Sequence, residues 1–182
     1  MSTRRNYNTP RHAHELTFTC YRRISFLAKD RSRQWLADAI NTACVKHHYR
    51  LWAYVFTPEH VHLLVWPNQM TYDIAAFRRD VKSPVARRAI AYLESHSQEL
   101  LEKITKRRGQ RIERVFWQQG GGYDRNIDNT KTLKSSIDYI HLNPVRRGLV
   151  EMPGDWVWSS SRWYRDQVDG PCVVHALLDE LG

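Results

Sequence analysis

Apolar positions crowd most densely into residues 50–67, R-L-W-A-Y-V-F-T-P-E-H-V-H-L-L-V-W-P. Two β-branched and aromatic runs, 51–56 and 60–66, flank a turn at Thr57-Pro58-Glu59 and predict a hairpin. In the second run Val61, Leu63 and Val65 form one row, as a core-facing row should. His60, His62, Leu64 and Trp66 share the other face. Upstream, residues 14–21 alternate with Leu16, Phe18 and Cys20 on one side and predict a further strand.

Helical spacing governs the segments around these strands. Trp35, Leu36, Ala39, Ile40 and Ala43 predict a helix over 31–48 capped by Asp30. Ile74, Phe77 and Val81 predict another, starting at Thr71 or Asp73 and kinked or restarted at Ser83-Pro84 before a second piece over 85–93. Residues 98–104 add one or two turns. A short strand over 115–118 ends at Gly120-Gly121-Gly122, a hinge or a place where backbone approaches a ligand. The last helix, 130–142, is capped by Asp128 or Asn129 and ended by Asn143-Pro144. These elements predict an α+β domain with a mainly antiparallel sheet and helices packed on one of its faces. It spans residues 13–150, between a flexible basic arm (1–12) and an aromatic tail (151–182) packed on the domain.

Composition narrows the partners. The 182 residues hold 28 Lys and Arg against 19 Asp and Glu, a formal charge of +9, which favours a polyanion, nucleic acid first. Residues 103–114 alone carry six positive side chains against one Glu and predict a phosphate-contacting loop or helix end. Candidate DNA contacts are Arg4, Arg5 and Arg11 in the arm, Arg78, Arg79 and Lys82 on the middle helix, Lys106, Arg107, Arg108 and Arg111 in the basic segment, and Arg146 and Arg147 near the last helix. No apolar run approaches the ~20 residues of a membrane span, and the N-terminus has no apolar signal region. Three scattered cysteines, Cys20, Cys44 and Cys172, suit reduced thiols in the cytoplasm.

Two residue groups offer chemistry. His60 and His62 sit two apart on one face of a stiff strand, so their imidazoles could grip one cation; the same spacing suits two hydrogen-bonded polar side chains. On the last helix Leu133, Ile137 and Ile140 make the apolar stripe, with Thr132, Ser136, Tyr139 and Asn143 in a polar row beside it. Tyr139 and Asn143, four apart, face the same way one turn from each other.

P-E-H-V-H-L-L-V at 58–65 resembles the His-hydrophobe-His motif of HUH single-strand nucleases and transposases. Together with W-Q at 117–118, Y-D-R at 123–125, I-D-Y-I-H-L-N-P-V-R-R-G-L-V at 137–150 and D-W-V-W-S-S at 155–160, it resembles the REP-associated tyrosine transposases. The resemblance implies a ferredoxin-like HUH domain that cleaves and rejoins single-stranded DNA beside a hairpin. It implies Tyr139 as nucleophile, with Tyr123 the competing tyrosine, and His60, His62 and Asn143 as ligands of Mg²⁺ or Mn²⁺. It also implies a 5′-phosphotyrosine intermediate, no small-molecule cofactor, and a monomer, with a helix-exchanging dimer as the alternative. The glycine run and the long basic segment depart from relatives, which often carry bulkier residues at 120–122. A domesticated DNA-binding protein that does not cut is the second reading.

Overall fold

In the computed structural model, which describes residues 8–120 and 122–177, the predicted hairpin is β2 (Tyr49–Phe56) and β3 (His60–Pro67). Every residue of β3 is buried. On its other side β3 pairs with β1 (Ala13–Thr19), and β1 pairs with β6 (Tyr123–Ile127), all antiparallel. The order β2-β3-β1-β6 is that of a split β-α-β, ferredoxin-like sheet. Its helices are α1 (Asp30–His47), α2 (Ile74–His96), α3 (Gln98–Ile104), α4 (Thr130–Arg146) and α5 (Ser161–Asp166).

Both faces of the sheet are covered, not one. Leu16, Phe18, Val61, Leu63 and Val65 pack with Leu36, Ile40, Phe77 and Val81 of α1 and α2. Ala13, Leu64 and Trp66 pack with Leu133, Ile137 and Ile140 of α4. Two-sided burial explains why 60–66 carries so few polar residues and why alternation alone points to only one apolar face. Trp52 and Trp66 stack at 4.9 Å within this second layer.

Several helix boundaries differ from the sequence reading. Lys29, not Asp30, is the N-cap of α1; the Asp30 carboxylate instead accepts from Arg33 and from the Trp158 indole. Asp73 caps α2 through the amides of Ala75 and Ala76. α2 then runs unbroken through Pro84, because Val81 and Val85 on either side are both fully buried and their packing outweighs one missing backbone donor. Likewise Pro144 lies inside α4, which continues to Arg146.

The basic segment is neither loop nor helix end. β4 (Thr105–Arg108) and β5 (Arg111–Arg114) form a separate two-stranded hairpin, turned at Gly109 with φ +59°. Residues 115–118 make no strand, only one bridge between Cys20 and Trp117. The fourth strand is β6 instead, unrecognised because Y-D-R-N-I has one apolar end. Gly122 does mark a close approach, to protein and not ligand: a Cβ there would lie 2.1 Å from the Thr17 carbonyl oxygen.

Residues 8–12 are tied to the start of α2, where Asn8 accepts from the Ile74 amide and Tyr72 donates to the Thr9 carbonyl. The tail lies along β2: Trp156 donates to Phe56 O, Tyr164 to Trp52 O, and His175 N to Leu51 O.

Candidate active site

Antiparallel partners project to the same side of a sheet. Thr17 faces His62 on β3 and Tyr123 on β6; one step along, Glu15 faces Leu64 and Arg125. Together with His60, this patch of β1, β3 and β6 lies under α4. Asn129 caps α4 by accepting from Thr132 N, and its apolar stripe fixes its rotation over Leu64 and Trp66. That rotation sets Ser136 on Glu15, with a 2.9 Å hydroxyl-to-carboxylate bond. It also brings the Tyr139 ring edge-on to the His62 ring at 5.4 Å. Asn143 follows one turn later, buried, with its amide nitrogen 3.3 Å from His62 Nε2.

The Asn143-Pro144 step therefore does not release the Asn side chain at a helix end; it stays within the helix, aimed at the histidines. The Tyr139 ring is 41% exposed, so its hydroxyl can meet a strand arriving from solvent, and the Arg146 guanidinium sits over it at 5.2 Å. Tyr123, Tyr139, His62, Thr17, Glu15 and Arg125 line one open cavity of about 520 Å³. Both tyrosines reach that cavity, but Tyr139 is the one in ring contact with His62.

Each imidazole is oriented from behind. His60 Nδ1 lies 2.8 Å from Thr57 Oγ1 and 3.2 Å from Glu59 Oε1. His62 Nδ1 lies 3.0 Å from Thr17 Oγ1. The rings stand 4.9 Å apart, nearly perpendicular. Holding Nδ1 of each in this way leaves Nε2 as the nitrogen that could meet a cation, an arrangement usual behind metal-binding histidines. Burial, helped by His60 and Arg147, pushes the His62 pKa down to about 3, so its ring is neutral near pH 7 and can offer a lone pair. Burial also lowers His60, partly countered by Glu59. Glu59 is buried and accepts from Arg147, locking the loop before β3 to the end of α4.

The donor set fits a hard divalent cation. Asn143 Oδ1 is buried without a hydrogen-bond partner, a cost of about 1–3 kcal/mol that a cation would relieve. Among the described residues no group of three His, Cys, Asp or Glu gathers to hold a metal ion, so a cation here would depend on the Asn143 amide oxygen as its third protein donor. Thr17, Thr57 and Glu59, which orient the two imidazoles, carry no sequence signature: cross-strand register and a tight turn bring them in.

The basic residues divide by position. Arg4 and Arg5 lie outside the described residues, and Arg11 is exposed with φ 60°. Arg78 is buried and pairs with Asp124 in a network with His14. Arg79 is exposed; Lys82 is half-buried, its ammonium near the Phe18 and Trp117 rings. Arg108 and Arg111 are exposed on the hairpin, whereas Arg107 pairs with Glu102 and Lys106 lies over Tyr21. Arg146 and Arg147 border the histidine site directly. All three cysteines are buried thiols. No helix among the described residues is long and apolar enough to cross a membrane.

No family model matches the chain. In sequence it is 29% identical to a Haemophilus influenzae protein named as a REP-associated tyrosine transposase, with 79% of each chain covered. It is 26% identical to the REP-associated tyrosine transposase of Escherichia coli, over 75% of this chain and 68% of the other. Its fold matches the solved structure of a REP-associated tyrosine transposase bound to a REP hairpin, with a TM-score of 0.69, 22% identity, and 98% and 94% of the two chains covered. By sequence and by fold, the chain is a homologue of the REP-associated tyrosine transposases.

Proposed function

We propose that the protein is a metal-dependent single-strand DNA transposase that cuts and rejoins DNA beside a hairpin, with Tyr139 as nucleophile. The observation that carries this reading is the convergence, within one chain, of Tyr139, Asn143 and the His60–His62 couple. The names of the relatives and the hairpin DNA in the matched structure support it.

In this reading a strand enters the cavity under α4 and its phosphate lies between Tyr139 and the histidines. His60, His62 and Asn143 would hold Mg²⁺ or Mn²⁺, which when bound would supply charge to offset the phosphate oxygens and favour the phenoxide. Tyr139 Oη attacks phosphorus; an O–P bond forms and the P–O3′ bond breaks. The chain then carries a 5′-phosphotyrosine, and the phenol proton ends on the departing 3′-oxygen as a 3′-OH. Another 3′-OH reverses the step and joins the strands. Arg146 and Arg147 flank the phosphate path, and Arg79, Arg108 and Arg111 extend positive surface toward the hairpin stem. Because Tyr139 reaches its own histidines, a monomer suffices and exchange of α4 is not required.

The test is incubation with labelled hairpin-bearing single-stranded DNA and Mg²⁺ or Mn²⁺, followed by denaturing electrophoresis. A covalent adduct is expected from the wild-type chain and from Tyr123→Phe, and none from Tyr139→Phe, which still binds DNA. An adduct surviving Tyr139→Phe moves the nucleophile elsewhere. Hairpin binding with no adduct under any metal favours a regulator that does not cut.

A further inference from the structure

The cavity beside Tyr139 holds a charged pair that the phosphoryl chemistry leaves unused. Glu15 is buried at 7% exposure, yet among the described residues its carboxylate meets only the Ser136 hydroxyl at 2.9 Å and the Arg125 guanidinium at 3.9 Å. Both contacts fall on Oε2, so the other oxygen of a carboxylate that lines the cavity is left to accept hydrogen bonds from what enters it. Neighbouring strands fix the two side chains next to each other, Glu15 opposite Arg125 in the β1–β6 register. Tyr123, two residues before Arg125 on the same face, supplies an aromatic wall, and the space of about 520 Å³ accommodates a nucleobase.

We infer that this cavity is a base-reading pocket that selects an unpaired guanine next to the phosphate under attack, with Glu15 and Arg125 as the reading residues. Read across, the pair offers donors from Arg125 and then two acceptors from Glu15. The Watson–Crick edge of guanine is the complement: the O6 acceptor, then the N1–H and N2–H donors. No other DNA base sets two adjacent donors beside an acceptor on that edge. Adenine and cytosine would turn a ring-nitrogen lone pair toward the carboxylate, and thymine its carbonyl oxygens. Charge-assisted, paired hydrogen bonds of this kind are the strong and selective ones. Tyr123 then stacks on the base face, an interaction open to any base. Selectivity therefore rests on Glu15 and Arg125.

The inference rests on the reading of the cavity as the path of a single strand, but not on cleavage. Its test is fluorescence anisotropy, in EDTA so that no strand is cut, with twelve-nucleotide thymidine oligonucleotides carrying one central dG, dA, dC or deoxyinosine. The dG probe is expected to bind about tenfold more tightly than all-thymidine DNA, and deoxyinosine, which lacks the N2 amino group, to lose part of that gain. Glu15→Gln keeps the shape and the Ser136 hydrogen bond and should bring all probes within about twofold. Arg125→Ala, at an exposed edge position, should do the same by removing the O6 partner. Equal binding of all probes by the wild-type chain, or an unchanged dG preference in folded Glu15→Gln and Arg125→Ala, overturns the pocket. A dG preference without any phosphotyrosine adduct sinks the nuclease reading and leaves the pocket standing; an adduct without the preference does the reverse.

Discussion

Asn143 carries a stability cost that the proposed cation would relieve. Its oxygen is buried without a partner and its nitrogen faces His62. Binding Mg²⁺ or Mn²⁺ should therefore raise the melting temperature, by the equivalent of about 2.7 kcal/mol when the metal is a hundredfold above its dissociation constant. Asn143→Ala should remove that shift without lowering metal-free stability, as scanning calorimetry with and without metal would show. Gly122 makes a harsher prediction. With φ +73° and the Thr17 carbonyl oxygen standing where an added Cβ would have to sit, Gly122→Ala should cost about 2 kcal/mol or more in urea unfolding, by pushing β6 off β1.

His141 sets a pH limit. It is buried on α4 against Ser160, and burial holds its pKa down to about 4, against an ordinary value of about 6.5 in the unfolded chain. Above pH 6.5 both states are neutral and it contributes no pH dependence. As pH falls from 6.5 to 4 the unfolded chain alone takes up the proton, so stability drops by on the order of 3 kcal/mol, then levels off. Urea midpoints across this range, steeper for wild type than for His141→Gln, would check the sign. The sequence marked His60, His62, Tyr139 and Asn143 because their spacings are local. It was silent on Thr17, Glu59 and Ser160, whose partners depend on cross-strand register and on chain segments up to a hundred residues apart.

At the scale of elements, the prolines were the least legible features. Pro84 read as a kink or restart and Pro144 as a stop, yet both sit inside helices, since burial on either side holds the backbone helical where local propensity would break it. Pro84→Ala restores a backbone donor and should stabilise α2 by about 1–2 kcal/mol, with DNA cleavage unchanged; chemical denaturation beside an adduct assay would test both halves. The β4–β5 hairpin was misread for a related reason. Its residues are charged on both faces, so no alternation betrays a strand, and pairing with itself needs no hydrophobic face. Arg108→Ala with Arg111→Ala should weaken hairpin DNA binding and flatten the plot of log affinity against log salt by about 0.9 for each phosphate no longer neutralised. The adduct yield at saturating DNA should persist.

For the molecule as a whole, the central feature is a sheet sandwiched between two unlike layers. α1 and α2 make a conventional core on one side. α4 roofs the other, leaving its β6 end open as the cavity, and the segment after α4 adds Trp156 and Tyr164 to the same layer and secures that roof. Ser160 bonds the backbone of Tyr54 on β2 and, through its hydroxyl, His141 on α4. A chain ending at residue 155 should lose both ties, bind metal more weakly and form little adduct, while retaining a folded α1–α2 layer in circular dichroism. The bolt across the tyrosine helix thus belongs to a stretch made only after the helix itself. A nascent chain from which Ser160 has not yet emerged already holds His60, His62, Tyr139 and Asn143 but lacks the clasp that fixes α4 to β2.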